Sequence, residues 1–283
     1  MILKYLLKKA REDFNAKRYD AEIKKLNWIV LLNPKAFNYA LRGGVYGTLN
    51  KYNKAIIDYS KAINHEPNNP DYYVSRAYYY SKINQNELAI DDYNKAIEIK
   101  PNVWKHFLFR AQSYVDLCEY DKAILDYNKV IELNPNEIET YIGKGICLRN
   151  LEKIDEAIAT YESGLIIDPN TTELYVNIGI AFGLQNKHKE SFECYDKALE
   201  VDRNNYYAFY NRASTYFDLK EWNMALQDIN KVIEINPQFD DAYVLRGNIY
   251  IELEDKVSAC KDYHFALGLG RKSVKENIDE YCK

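Results

Sequence analysis

The chain is 283 residues long, 47% hydrophobic and 28% charged, a composition that folds in water. Its net charge of −4 recommends neither nucleic acid nor an anionic membrane as a partner, since both select basic surfaces. The five cysteines, Cys118, Cys147, Cys194, Cys260 and Cys282, form no C-x-x-C pair and follow no spacing, an odd set that suits a reducing compartment.

In chain order, the N-terminal "MILKYLLKKA" interrupts its leucines with Lys4, Lys8 and Lys9, so it offers neither a signal-peptide core nor a cleavage site. No stretch approaches the length of a membrane span. A cytoplasmic protein is expected. Further along, "DYNKAIEI" at 92–99 returns as "DYNKVIEL" at 126–133, and related octets begin at Asp58, Thr160, Cys194, Asp228 and Asp262. Each start lies 34 residues after the one before, and a fixed period of this length means a repeat array. Eight units follow, at about 3–36, 36–69, 70–103, 104–137, 138–171, 172–205, 206–239 and 240–272.

Residues 104–137 show what one unit is. Phe107, Ala111 and Tyr114 fall at i, i+4 and i+7, one face of a helix. A polar break, "CEYD", separates them from a second run that aligns Ala123, Tyr127, Val130 and Ile131. Pro135 then ends the helix and biases Asn134 away from helical geometry. The pattern predicts two antiparallel amphipathic helices of about 14 residues, each too short to be stable alone, so stacking must bury their faces. Most of the 27 tyrosines recur at fixed repeat positions, which makes them packing residues first.

The order bulky, small, aromatic, Ala, aromatic, Ala, Pro resembles the tetratricopeptide repeat. It reads Tyr39, Gly43, Tyr46, Ala55, Tyr59, Ala62, Pro67 in one unit and Tyr73, Ala77, Tyr80, Ala89, Tyr93, Ala96, Pro101 in the next. The resemblance implies an all-α, right-handed superhelical solenoid over 1–272, closed by a short capping helix at 273–283. Departures cluster in three places. Unit one has Glu22 where Ala is usual; Gly164 interrupts a helix in unit five; Arg203 replaces the terminating proline of unit six. At the C-terminus Gly268 and Gly270 stop the last repeat, and "SVKE" reads as a capping box of Ser273 and Glu276 ahead of Val274, Ile278 and Tyr281.

Two sets of residues stand out as candidates. Five units carry Arg one place before the small residue, at Arg42, Arg76, Arg110, Arg212 and Arg246, and the same five carry Asp sixteen residues later, at Asp58, Asp92, Asp126, Asp228 and Asp262. Independent placement would match so well about one time in fifty, and co-varying positions suggest contact. An intra-unit ion pair is the expected role, ahead of a charged ladder for ligands.

The second set follows from the resemblance, which implies that first helices line a concave face holding peptides or helices. One row of that face would be Leu7, Ala40, Val74, Leu108, Ile142, Val176, Tyr210 and Val244, almost wholly apolar; Arg11, Gly44, Tyr78, Gln112, Ile146, Ile180, Ser214 and Asn248 make a second row. Asn177 and Asn211 occupy equivalent places where they could bond a peptide backbone, with Lys105 and Arg149 as flanking charge. The Lys and Asn clamp with which chaperone-binding relatives hold a carboxylate is not recognisable. The apolar row suits an apolar or amphipathic segment, or a second copy of the chain in a homo-oligomer.

No phosphate loop, G-x-S-x-G or H-E-x-x-H occurs, and Cys260 with His264 is the nearest thing to a metal pair. No enzyme, metal or cofactor is expected. The expected function is a protein-binding scaffold or adaptor, with a peptide-sensing regulator that changes superhelical conformation as the alternative.

Overall fold

The computed structural model describes residues 2–282. Among them helix follows helix without a strand. The helices come in pairs: α1 (Ile2–Asn15) and α2 (Tyr19–Leu32), α3 (Ala36–Thr48) and α4 (Tyr52–His65), α5 (Pro70–Lys82) and α6 (Asn86–Ile99), α7 (Trp104–Asp116) and α8 (Tyr120–Leu133). The series continues with α9 (Ile138–Asn150) and α10 (Ile154–Ile167), α11 (Thr172–Leu184) and α12 (His188–Val201), α13 (Tyr206–Asp218) and α14 (Trp222–Ile235), α15 (Asp240–Glu252) and α16 (Lys256–Gly268). A 3-10 turn at Lys272–Val274 leads into α17 (Lys275–Tyr281).

The chain divides into two compact units, one ending at Cys147 and the other beginning at Leu148, both within α9. In the first, each helix from α1 to α8 packs on the next; in the second the same holds from α10 to α17. The architecture is an all-α repeat solenoid. No described helix is long and apolar enough to cross a membrane.

The turns repeat as faithfully as the helices. Between the two helices of every pair one residue adopts a left-handed backbone: Lys17, Asn50, Asn84, Cys118, Glu152, Asn186, Lys220 and Glu254, with φ from 55° to 63°. This conformation closes the first helix, as when the Lys51 N–H bonds the Tyr46 carbonyl at 2.8 Å. Between the second and third repeats, proline and a polar cap take over. Asn69 accepts from the Asp71 N–H at 3.1 Å, and Pro70 starts α5 where a missing N–H costs nothing.

Small residues set the helix spacing. Ala55, Ala77, Ala89, Ala111, Ala123, Ala213 and Ala225 are wholly buried. At Gly247 the approach is closer still, since a Cβ there would lie 2.6 Å from the ring of Tyr263. Tyrosine supplies the opposite need, bulk with one polar end. The hydroxyls of Tyr73, Tyr141 and Tyr243 donate to the carbonyls of Pro67, Pro135 and Pro237 at 3.1, 2.8 and 3.1 Å, pinning each first helix to the linker before it.

The C-terminus corrects two expectations. Helix α17 is capped by Val274 without a side-chain bond, so Ser273 and Glu276 form no capping box. The 3-10 turn instead buries Val274, 1% exposed, with Ile278 against Tyr243 and Ala266, and this apolar anchoring decides where the helix starts. Cys260 on α16 is bonded to Cys282 just beyond α17, with Cα atoms 5.5 Å apart. Packing α17 onto α16 brings these two cysteines together across 22 residues of sequence. The cysteine pattern therefore no longer argues for a reducing compartment, and the Cys260 sulfur is not free to pair with His264 at a metal; His264 Nδ1 lies 2.7 Å from the Cys260 carbonyl oxygen instead.

Candidate functional site

Each arginine of the first set forms a fork with its aspartate. Nε and Nη2 of Arg42, Arg76 and Arg246 donate to both oxygens of Asp58, Asp92 and Asp262 at 2.7 Å. Arg110 reaches Asp126 at 2.7 and 2.6 Å, and Arg212 reaches Asp228 at 2.7 and 2.8 Å. The five aspartates are buried. Burial pushes the Asp92 and Asp126 carboxyls above the ordinary aspartate value, while the facing guanidinium pulls them back.

A third contact goes beyond the sequence offset. Nη1 of each arginine donates backward to the second helix of the preceding repeat: to Asn27, Ser60, Asn94, Asp196 and Asn230 from Arg42, Arg76, Arg110, Arg212 and Arg246. The flanking signature aromatics complete the cage, with the Arg110 guanidinium 5.6 Å from the Phe107 ring and 5.9 Å from that of Tyr114. Each of these arginines is thus engaged by its aspartate, by the preceding repeat and by at least one ring. The arrangement ties three helices together and gives these arginines a structural role.

The apolar row is less open than its letters suggest. Leu108 and Val176 are 4% and 6% exposed, Leu108 packed with Ala111 and Ala123, Val176 with Tyr195 and Ala208. Ala40, Val74, Ile142, Tyr210 and Val244 are half-buried, as are Ile146 and Ile180. Tyr210 stands edge-on to Phe239, and Asn248 accepts from the Tyr263 hydroxyl at 2.8 Å, so both serve the core. First helices of adjacent repeats touch where α5 meets α7, α11 meets α13 and α13 meets α15.

What remains open is a set of separate depressions. In the first unit, one of about 370 Å³ between α5 and α7 holds Tyr78 and Gln112, both exposed, with Lys82, Tyr93 and Phe109. In the second, one of about 430 Å³ between α11 and α13 gathers Val176, Asn177, Ile180 and Asn211 with Glu173 and Tyr207. Ala40 lines a third, at the N-terminal end of the first unit.

The polar groups of the second depression are partly committed. Asn177 donates to the Glu173 carbonyl at 2.8 Å and accepts from Arg149 at 3.2 Å, which fixes both ends of its amide. Asn211 donates to the Tyr207 carbonyl at 2.8 Å. Its carbonyl oxygen makes no hydrogen bond among the described residues and is the group left to meet a backbone N–H. Lys105 sits over its neighbour Trp104, 5.4 Å from the ring, outside both depressions. Tyr207, 52% exposed with its ring tilted against that of Tyr206, was not among the residues expected from the sequence. Its only signal was a second aromatic next to Tyr206. Among the described residues no group of three His, Cys, Asp or Glu side chains stands close enough to hold a metal ion.

Comparison with known proteins bears on the fold and the repeats. Signatures described as tetratricopeptide repeat match residues 38–69, 70–103, 107–137, 138–171, 172–205 and 206–239, well over half of the chain. The terminal pairs, α1 with α2 and α15 with α16, fall outside those matches. No curated protein matches the chain. Among solved structures, a tetratricopeptide repeat protein from Parabacteroides merdae superposes with a TM-score of 0.73 at 22% identity, covering 87% of this chain and 96% of that one. YrrB, described as having an unusual peptide-binding site, superposes at 0.56 with 21% identity, over 66% of this chain and 97% of its own. The Cut9–Hcn1 complex of the APC/C superposes at 0.64 with 16% identity, over 98% of this chain and 55% of that one.

Proposed function

This chain belongs to the tetratricopeptide repeat family, and from that premise we propose that it is a non-catalytic adaptor that binds an extended segment of another protein on its first-helix face. One observation carries the reading. In each unit an open depression straddles the first helices of two adjacent repeats, and a large aromatic stands exposed in it: Tyr78 beside the exposed Gln112 in one, Tyr207 beside the half-buried Asn211 in the other, with Lys82 and Asp116, or Glu173, as exposed charge. Aromatic anchors beside a free amide oxygen suit a bound backbone with one inserted side chain. That YrrB is described as a peptide-binding relative agrees with this, at a level of identity that carries the fold alone.

The test uses the full chain and peptides selected on it from a random displayed library. Tyr78→Ala with Gln112→Ala, or Tyr207→Ala with Asn211→Ala, should weaken binding of the selected peptides about tenfold or more while leaving the helical circular-dichroism signal intact. Substituting Val176 would not serve, because that side chain is part of the core. If neither pair of substitutions weakens any selected peptide, the first-helix face is not the binding surface.

A further inference from the structure

A pocket of about 760 Å³ opens at the N-terminal end of the first unit, between the first two repeats. Its size is that of a small-molecule site and its walls are mainly apolar, with Leu7, Leu26, Phe37 and Leu41 among them. Phe37 and Leu41 remain 59% and 37% exposed at its edge.

The polar groups of this wall are few. Tyr72 donates to Glu66 at 3.2 Å, and Tyr59 is hydrogen-bonded to Ser75. That leaves Arg11, exposed, and Glu22, which is only 6% exposed and whose Oε2 has no hydrogen-bond partner. Glu22 occupies the place that Ala55, Ala89 and Ala123 fill in the next repeats, so the carboxyl is an addition to the repeat and not part of its packing. The nearby cations do not neutralise it: Arg18 and Lys25 are both bound to Asp13. Burial and the charge of Asp13 push the Glu22 carboxyl up to about 7.

A buried carboxyl without a partner destabilises the fold that holds it. It stands at the wall of an apolar pocket whose one other uncommitted charge is basic. From this geometry we propose that the pocket binds a free α-amino acid with a bulky apolar side chain, its ammonium group on Glu22 and its carboxylate on Arg11. The apolar side chain would displace water from Leu7, Leu26 and Phe37, and the two charged contacts would demand both ends of the amino acid. This site lies apart from the depressions proposed for the protein segment and does not depend on that reading.

The experiment is equilibrium dialysis of the full-length protein against labelled L-phenylalanine, repeated with L-leucine, phenethylamine and 3-phenylpropionate. L-phenylalanine or L-leucine should bind saturably, and each analogue that lacks one charged end should bind about tenfold more weakly than L-phenylalanine. Glu22→Gln should weaken L-phenylalanine and phenethylamine by about tenfold and leave 3-phenylpropionate unchanged; Arg11→Gln should do the reverse for the two analogues. Arg11 is exposed, so its variant keeps the fold and the test independent of any loss at Glu22. Absence of saturable binding by either amino acid overturns the proposal. So does equal binding of L-phenylalanine by the wild type and Glu22→Gln, which would mean a hydrated carboxyl, and so does tighter binding of phenethylamine than of the amino acid.

Discussion

Removing the carboxylate of Asp126 should be among the most damaging single changes to the first unit. The side chain is 4% exposed and accepts two charge-assisted bonds from Arg110, at 2.7 and 2.6 Å. Stranding one member of a buried pair costs about 3–5 kcal/mol. Here the guanidinium is 19% exposed and keeps Asn94 and two rings, which offsets part of that cost. About 2–3 kcal/mol is therefore expected for Asp126→Ala. Arg110→Met combined with Asp126→Leu removes both charges and should recover at least half of the loss, because no uncompensated buried charge remains. Repeat arrays do not unfold as one unit, so the measurement is native-state hydrogen exchange of the amides in α7 and α8. A cost below about 0.5 kcal/mol for the single variant, or a double variant no more stable than the single, would refute the idea that the fork is buried structure.

Three further outcomes follow from particular residues. The Glu22 carboxyl, raised to about 7 in the fold against 4.5 ordinarily, contributes stability that is full below 4.5 and lost as pH rises through 7. Glu22→Gln should thus be more stable than the wild type at pH 8, by roughly 1–3 kcal/mol, with the gap closing at pH 4; a gap independent of pH contradicts this. Cys282→Ser opens a loop spanning 22 residues and should lower the stability of α16 and α17 by about 3 kcal/mol under non-reducing conditions, with no change in dithiothreitol. Glu254, at φ 62°, holds a backbone that glycine adopts without strain, so Glu254→Gly should raise the denaturation midpoint by the equivalent of about 0.5–1 kcal/mol, and a lower midpoint would count against that view.

What could be read from the letters was whatever occurs in every repeat. A contact between positions sixteen apart is written five times in Arg and Asp, and helix ends are written in each proline, so both stand out by their period. The backward reach of Nη1 to Asn94 or Ser60 was invisible, because its acceptors change identity from repeat to repeat. The tail has no second copy to compare. There the burial of Val274 overrode a local capping pattern at Ser273, and a cysteine bond formed across elements that no periodicity relates. The apolar row misled for a different reason. A residue such as Leu108 satisfies the same helical spacing whether it faces a ligand or the next helix, and only packing separates the two. Glu22 was legible as an anomaly, although a sequence does not show that its carboxyl lies against an open pocket.

The binding claim is tested most directly by the hydrogen-exchange footprint of a selected peptide at saturation. Slowed exchange confined to the first helices, in α5 and α7 or in α11 and α13, is the predicted result, and it should vanish in the matching double-alanine variant. Protection that falls on the second helices instead, such as α8 around the exposed Leu125 or α10 around the exposed Ile166, would contradict it.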